Sequence, residues 1–172
     1  GNNRVLWFDA AYAISDNQPE ADGVLGQPGF GSSTAAATEF GLNGPYDIEV
    51  AENGDLYVAD ALNNRVVRFP TAASIGNGGA ADLVLGQPDF VSTAVTTPTA
   101  TSLNRPRGLV VSGTTLWVAE RNNARVLRFD RIDLKGDGAA ADGVLGQADF
   151  STNTQSISQS GMEYPSRLTV DP

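Results

Sequence analysis

Short apolar segments alternate with polar, glycine-containing turns along the whole chain. In one stretch the apolar segments are 48–50, 56–59, 65–69 and 83–85, and each contains β-branched residues. Segments this short that are bounded by turn residues are typical of strands, and none carries the period of a helix. The pattern therefore predicts four short antiparallel strands in this stretch.

The four-strand pattern is repeated at a spacing of 60 residues. The sequence ADGVLGQPGF at 21–30 returns as ADLVLGQPDF at 81–90 and again as ADGVLGQADF at 141–150. Three further markers recur in the same order at nearly the same step, which chance does not explain. We therefore predict one domain with repeat copies at 1–41 (partial), 42–102, 103–161 and 162–172 (partial). The corresponding strands of the other copies are predicted at 24–25, 109–111, 116–119, 125–129, 144–145 and 168–170.

Repeated units of four short antiparallel strands are the layout of β-propeller blades. The predicted fold class is therefore all-β, a β-propeller with four-stranded antiparallel blades. The chain holds two complete units and three further strands, about three blades' worth of a six-bladed ring. Two copies placed head to head would lack one strand at each junction, and open sheet edges are costly. We therefore expect further blades of a longer chain to complete the ring, with a second copy of this chain as the alternative.

Two copies share a frame that reads P-x-x-I/L-x-V, then L-Y/W-V-A-D/E, then x-x-N-x-R-V-x-x-F. In this frame the chain resembles the NHL-repeat family of β-propellers, with repeats lengthened by the VLGQPDF-type segment and its Ser/Thr-rich tail. The resemblance implies a propeller fold; some relatives are lyases or lactonase-like hydrolases with an axial metal, and others bind RNA. The frame is carried by Pro45, Ile48, Val50, Tyr57, Asp60, Asn63, Arg65 and Phe69, and by Pro106, Leu109, Val111, Trp117, Glu120, Asn123, Arg125 and Phe129.

Composition narrows the function classes. The chain has no cysteine and no histidine, which removes thiolate nucleophiles, the commonest general base and the commonest zinc ligand. The lyases that resemble the frame hold zinc with histidines, so these residues favour a binding module over an enzyme. The net charge of −9 repels phosphate backbones and anionic lipids, so we expect neither nucleic acid nor a membrane as partner. The absence of cysteine and the single lysine predict an exported bacterial protein, extracellular or periplasmic.

Polar residues that recur in every copy are interpreted as scaffold, because a site is needed once and a structural device in each blade. One recurring trio is a carboxylate, an asparagine and an arginine, which predicts a hairpin clasp. We expect the carboxylate to accept N–H bonds from the following turn and the asparagine to occupy a left-handed turn position. The trio is Asp60, Asn63 and Arg65 in one copy and Glu120, Asn123 and Arg125 in the next.

A second recurring motif is Gly-Gln-x-x-Phe, which follows the last strand of each copy. We predict that it pins the outer strand and the linker to the neighbouring blade. Its members are Gln27 and Phe30, Gln87 and Phe90, and Gln147 and Phe150.

Polar residues that differ between copies at the entry to the first strand are better candidates for a binding site. In a propeller this entry lines the central axis, so the side chains could form a polar funnel for an anionic or polar ligand. The alternative is ordinary solvated loop chemistry. The funnel candidates are Tyr46, Asp47, Glu49, Arg105, Arg107, Tyr164 and Arg167.

A cluster of aspartates is a candidate metal-binding site. Asp130, Asp133 and Asp137 lie close together in a glycine-containing loop, and carboxylates in such loops suit calcium. Their spacing is not that of an EF-hand, so a solvated acidic loop is favoured and no cofactor is predicted. The function predicted from the sequence is a non-catalytic binding or scaffold module for a protein, a glycan or a small polar ligand. The alternative is a propeller lyase or lactonase-like hydrolase with a carboxylate-held axial metal.

Overall fold

A computed structural model describes residues 1–9, 17–72 and 75–170 and shows an all-β, antiparallel architecture. Within these ranges, no helix is long and apolar enough to cross a bilayer. The described strands are β1 (Val5–Trp7), β2 (Gly23–Leu25), β3 (Pro45–Val50), β4 (Leu56–Asp60), β5 (Arg65–Phe69), β6 (Leu83–Leu85), β7 (Pro106–Ser112), β8 (Thr115–Glu120), β9 (Arg125–Phe129) and β10 (Gly143–Leu145).

These strands form three antiparallel sheets that follow the repeat. The first sheet is β1-β2, the second is β3-β4-β5-β6, and the third is β7-β8-β9-β10. Each of the last two sheets therefore consists of four strands in sequence order, as the repeat predicted. The predicted strands agree with the observed ones to within a few residues; β3 and β7 begin earlier than predicted, at Pro45 and Pro106. A strand's first residue tolerates a proline because its missing N–H is not needed there.

The core lies between consecutive sheets, and β4, β5 and β6 of the second sheet are buried on both faces. Its Val58, Val67 and Val84 belong to a buried cluster shared with Val5 and Leu25 of the first sheet. Side chains of a strand alternate between the two faces, so neighbouring residues point the other way. Those neighbours, Tyr57, Val66 and Leu85 among them, belong to a second buried cluster shared with the third sheet, including Leu109, Leu116 and Leu127. The three sheets are therefore packed in chain order.

The loop before the fourth strand ties the second sheet to the first and the third sheet to the second. Asn77 Oδ1 accepts a hydrogen bond of 3.0 Å from the Val24 N–H, and the Gly78 N–H donates to the Val24 carbonyl at 2.9 Å. In the next copy Asp137 Oδ1 accepts from the Val84 N–H at 3.0 Å. The loop between the third and fourth strands is thus a connector between sheets, a role that the sequence did not indicate.

The prediction that residues 168–170 form the first strand of the last repeat copy is wrong. Residues 165–170 are described, but none of them is part of a strand. The reason is the missing partner: β3 and β7 are each paired with the strand that follows them, and no described strand pairs with 165–170. This segment instead lies with its backbone against β7, since a side chain at Gly108 would sit 2.9 Å from the Arg167 Cα.

Candidate functional site

One of the two fully buried ionic groups in the described part of the chain is the clasp around Arg65. Its Nε donates to Asp60 Oδ2 at 2.7 Å, and neither side chain is exposed to solvent. Its NH2 group donates to the carbonyls of Thr38 at 3.0 Å and Gly41 at 2.8 Å, and NH1 donates to the Phe90 carbonyl. One guanidinium thus joins the strand end to the linker before the sheet and the linker after it. Charge-assisted bonds of this kind are about twice as strong as neutral ones.

The third sheet contains the same arrangement around Arg125. Its Nε donates to Glu120, and the other nitrogens donate to the carbonyls of Thr99, Ser102 and Phe150. Both ionic side chains are again fully buried. The repetition in both complete sheets supports the interpretation of this trio as a structural clasp.

Two details of the predicted clasp are wrong. The backbone donor to Asp60 is Asn43, at 2.6 Å, which precedes the first strand of the sheet rather than following the second. The left-handed positions are Asn64 (φ 54) and Ala124 (φ 50), one residue after the predicted ones. Asn63 instead ends a 3-10 turn, and its Nδ2 donates a hydrogen bond of 2.8 Å to Asp60 Oδ2.

Burial sets the electrostatics of the two clasps. Loss of solvent raises the pKa of Asp60 above its usual 3.8, and the pairing with Arg65 and the bonds from Asn43 and Asn63 only partly offset this. The pKa of Glu120 is raised above 4.5 for the same reason. A buried carboxylate needs its cation nearby to stay charged, so the arginine and the carboxylate depend on each other.

The Gly-Gln-x-x-Phe motif was predicted to connect neighbouring repeat units, and only the phenylalanines of the second and third sheets do so, since Phe30 is exposed. Gln87 Nε2 donates to the Asn64 carbonyl at 3.1 Å and the Ala94 carbonyl at 3.0 Å, which ties the linker to the glutamine's own sheet. Gln27 and Gln147 bond in the same way. The Phe90 side chain packs against the cluster between the first and second sheets. Phe150 packs against the cluster between the second and third sheets.

A polar cleft of about 320 Å³ opens where β3, β7 and the segment 165–170 come together. Five of the seven funnel candidates line it, even though they come from three copies of the repeat. The structure thus brings together most of the residues that were singled out because they differ between copies. Its lining consists of Tyr46, Asp47, Glu49, Arg107 and Arg167, together with Leu109, Ser166 and Leu168.

The two carboxylates of the polar cleft also hold the second and third sheets together. Asp47 Oδ2 accepts from the Leu109 N–H at 2.9 Å, and Glu49 Oε1 accepts from the Val111 N–H at 3.4 Å. Alternate residues of β3 thus bond to alternate N–H groups of β7. Each of these carboxylates has one oxygen committed to the backbone, so it acts first as a connector between strands.

The two arginines of the polar cleft make no salt bridge within the described part of the chain. Arg107 lies over the Tyr46 ring, 4.3 Å from its centroid, and donates to the Tyr46 hydroxyl at 3.2 Å. This contact holds the Arg107 side chain against β3 without neutralising it. Arg107 and Arg167 are therefore two cations that an anionic group in the cleft could meet.

The remaining two funnel candidates do not line the polar cleft. Arg105 and Tyr164 both precede a proline and both have a left-handed backbone, with φ of 52° and 49°. The Arg105 N–H donates to Asn64 Oδ1 at 3.1 Å, which is a contact between sheets. The Tyr164 ring lies under the Arg121 guanidinium, 4.6 Å from its centroid. These positions connect a sheet to the segment that follows it.

The three candidate metal ligands have separate neighbours. Asp130 pairs with Arg128 at 3.1 Å, and Asp133 pairs with Arg131 at 3.1 Å. Asp137 belongs to the loop that bonds to Val84. Among the described residues, no group of three or more Asp or Glu side chains is arranged to hold a metal ion.

Three residues that line the polar cleft are not among the site residues predicted from the sequence. The sequence places Leu109 and Leu168 in predicted strands, and Ser166 is the repeat counterpart of Tyr46. Alignment of the copies places all three within the same few repeat positions as the predicted residues, and that alignment could have identified them. No protein-family model matches the chain, and no curated protein matches it.

Proposed function

We propose that the chain forms blades of an NHL-like β-propeller and acts as a non-catalytic binding module. The support for the propeller is the repetition of one sheet, with the same strand order and the same buried clasp, in sheets packed in chain order. In this proposal the first sheet is part of a third blade of a six-bladed ring. Further blades, or a second copy, would complete the ring.

The polar cleft is the proposed binding site. The observation that carries this proposal is the contrast between positions: the clasp recurs in each complete sheet, whereas the cleft residues change from copy to copy. Tyr46 is replaced by Arg107 and Ser166 at equivalent positions. A repeated fold needs its scaffold in each unit, but a ligand site needs its particular side chains only once.

The chemistry of the polar cleft favours a ligand that carries both an anionic group and hydroxyl groups. The guanidinium groups of Arg107 and Arg167 match carboxylates in a bidentate geometry. The oxygens of Asp47 and Glu49 that do not bond to β7 are acceptors for hydroxyl donors. An acidic sugar or an acidic loop of a protein would meet both requirements. The other oxygen of each carboxylate already bonds to the backbone of β7, which holds the acceptors in place for a ligand.

Calorimetric titration with acidic and neutral oligosaccharides of equal length would test this function. We expect saturable binding of uronic acid oligomers, with about tenfold weaker binding for Arg107→Ala and for Arg167→Ala, because each removes one charge-assisted contact. Arg131→Ala is the matched control, since Arg131 is an exposed arginine outside the cleft. Equal affinity for acidic and neutral sugars, or equal affinity in all variants, would show that the cleft is not the binding site.

A further inference from the structure

A cleft of about 410 Å³, which shares no lining residue with the polar cleft, lies along the linker that follows the second sheet. It is bounded by the residues just after β6, by the linker 91–102 and by Gly138 of the loop before β10. Small-molecule sites commonly have volumes of roughly 300–1,000 Å³, so its size suits a small ligand. We call it the hydroxyl cleft, because five hydroxyl side chains line it and none of its lining residues is charged. They are Thr96, Thr97, Thr99, Thr101 and Ser102.

The linker that forms the hydroxyl cleft is held in place by its backbone. Arg125 of the third sheet donates to the carbonyls of Thr99 and Ser102, both at 3.0 Å. Gln87 Nε2 donates to the Ala94 carbonyl at 3.0 Å, near the other end of the linker. These bonds fix the walls before a ligand arrives, which lowers the entropic cost of binding.

One buried acceptor in this cleft has no partner. The Gln87 side chain lines the cleft and the residue is only 3% exposed. Its Nε2 donates to the carbonyls of Asn64 and Ala94, which determines the orientation of the amide. The other amide atom, Oε1, accepts no hydrogen bond within the described part of the chain. Burial of an acceptor without a partner is costly, so this atom favours a donor from outside the chain.

The other two copies of the repeat satisfy the same oxygen internally. Gln27 Oε1 accepts from the Ser32 hydroxyl at 2.8 Å, and Gln147 Oε1 accepts from the Thr154 N–H at 3.0 Å. The Nε2 atoms of all three glutamines make equivalent bonds to the chain. The free acceptor at Gln87 is thus a particular feature of one copy and not a property of the scaffold.

A change of one residue explains the difference from the first copy. Ser92 is the repeat counterpart of Ser32, but its N–H donates to Asp89 Oδ1 at 2.7 Å. The Ser92 hydroxyl also bonds to Asp89, which lowers the pKa of that carboxyl below its usual 3.8. The first copy has Gly29 at the position of Asp89, so no carboxylate competes there for the serine. Asp89 therefore draws away the hydroxyl that would otherwise occupy Gln87 Oε1.

We propose that the hydroxyl cleft binds a neutral sugar unit, one hydroxyl of which donates to Gln87 Oε1. The Thr97 hydroxyl makes no hydrogen bond within the described residues, so it is able to donate to the sugar or to accept from it. A sugar ring carries many hydroxyls and no charge, which matches a lining of hydroxyls without ionic side chains. Pro88 and Ala94 add small apolar surfaces for the C–H groups of the ring.

Saturation-transfer NMR with the methyl glycosides of glucose, galactose and mannose tests this proposal on the unaltered chain. We expect saturable binding of at least one of them. Asp89→Gly should weaken that binding by about tenfold, because it frees Ser92 to bond to Gln87 Oε1 as Ser32 bonds to Gln27. Asp149→Gly is the matched control in the third copy. It should leave the affinity within about twofold, since Gln147 Oε1 is already occupied by a backbone donor.

Two further variants locate the sugar. Thr101→Phe introduces the side chain that the first copy has at this position, Phe40, and should abolish binding by filling the hydroxyl cleft. Arg107→Ala should weaken binding of acidic oligosaccharides but leave binding of the neutral glycoside unchanged, which separates this site from the polar cleft. The proposal is overturned if none of the three glycosides binds saturably, or if Asp89→Gly and Thr101→Phe both bind as tightly as the Asp149→Gly control.

Discussion

The second and third sheets are built from the same repeat, and they differ most where they meet their neighbours. Inside each sheet the clasp is the same, although Asp60 is one methylene shorter than Glu120. The arginine reaches equivalent carbonyls in both cases, those of Thr38 and Gly41 or of Thr99 and Ser102. The scaffold thus tolerates a change in carboxylate length and keeps the bonds of the arginine, whereas the bonds of Asn63 to Ala36 and Asn43 have no counterpart at Asn123.

The first strands of the two sheets, β3 and β7, make different contacts with the segment that follows each sheet. At the junction of the second and third sheets, Asp47 places a carboxylate between β3 and β7 and bonds to the Leu109 N–H. At the next junction the equivalent residue is Gly108, and the Arg167 backbone lies directly against it. A single repeat position therefore decides whether two neighbours are separated by a side chain or meet backbone to backbone. This is also the position around which the polar cleft is built.

The two sheets share the buried clasp, and its loss should lower the free energy of unfolding more than any other change considered below. Arg65→Leu and Arg125→Leu should each lower the free energy of unfolding by about 3–5 kcal/mol, because each leaves a buried carboxylate without its cation. Urea denaturation followed by tryptophan fluorescence measures this loss. Arg131→Leu, which removes an exposed ion pair, should change the stability by less than about 1 kcal/mol.

Unequal effects of the two clasp variants would contradict the equivalence of the second and third sheets. If Arg65→Leu were severe and Arg125→Leu were mild, the clasp would be a property of one sheet rather than of the repeat. If both variants were as stable as the Arg131→Leu control, the buried pair would contribute little and the assignment of the trio to the scaffold would be wrong.

An intermediate effect is expected where the sheets differ. Gly108→Ala should lower the free energy of unfolding by about 1–3 kcal/mol, because the new methyl group meets the Arg167 backbone and the segment must move. Asp47→Ala should cost about 1 kcal/mol, because it removes the acceptor of the Leu109 N–H. Thermal unfolding of the two variants at matched pH measures the difference. A neutral Gly108→Ala would show that residues 165–170 do not lie against β7 in solution.

The smallest expected effect concerns the left-handed residue before the third strand. Asn64 Oδ1 accepts from the Arg105 N–H of the following sheet, whereas the equivalent Ala124 has no side-chain acceptor for Tyr164. Ala124→Asn should raise the free energy of unfolding by about 0.5–1 kcal/mol, since asparagine tolerates this backbone better than alanine and gains a bond. The reverse change, Asn64→Ala, should lower it by about 0.5–1 kcal/mol. Chemical denaturation distinguishes the two signs, and a loss of stability in Ala124→Asn would contradict the equivalence of the two junctions.

The sequence pattern alone predicts the order and spacing of the strands in the two complete units and places their boundaries to within three residues. Apolar alternation and turn residues act locally, so segments such as 65–69 and 83–85 could be assigned without knowledge of their partners. The clasp was also predictable, because its carboxylate and its arginine lie only five residues apart across one hairpin. Its detailed donors were not, since Asn43 lies 17 residues from Asp60 and reaches it only when the sheet is formed.

Which polar residues share a site depends on how the sheets pack against one another. Tyr46 and Arg107 are 61 residues apart, and their contact depends on how one sheet packs against the next. For the same reason the sequence could not separate Arg105 from Arg107, although only Arg107 lines the polar cleft, whereas the backbone N–H of Arg105 bonds to Asn64. A strand forms only when a partner supplies its hydrogen bonds, which is why the apolar pattern at 168–170 did not form one. Local pattern determines what a segment is able to become, and the packing of neighbouring sheets decides what it becomes.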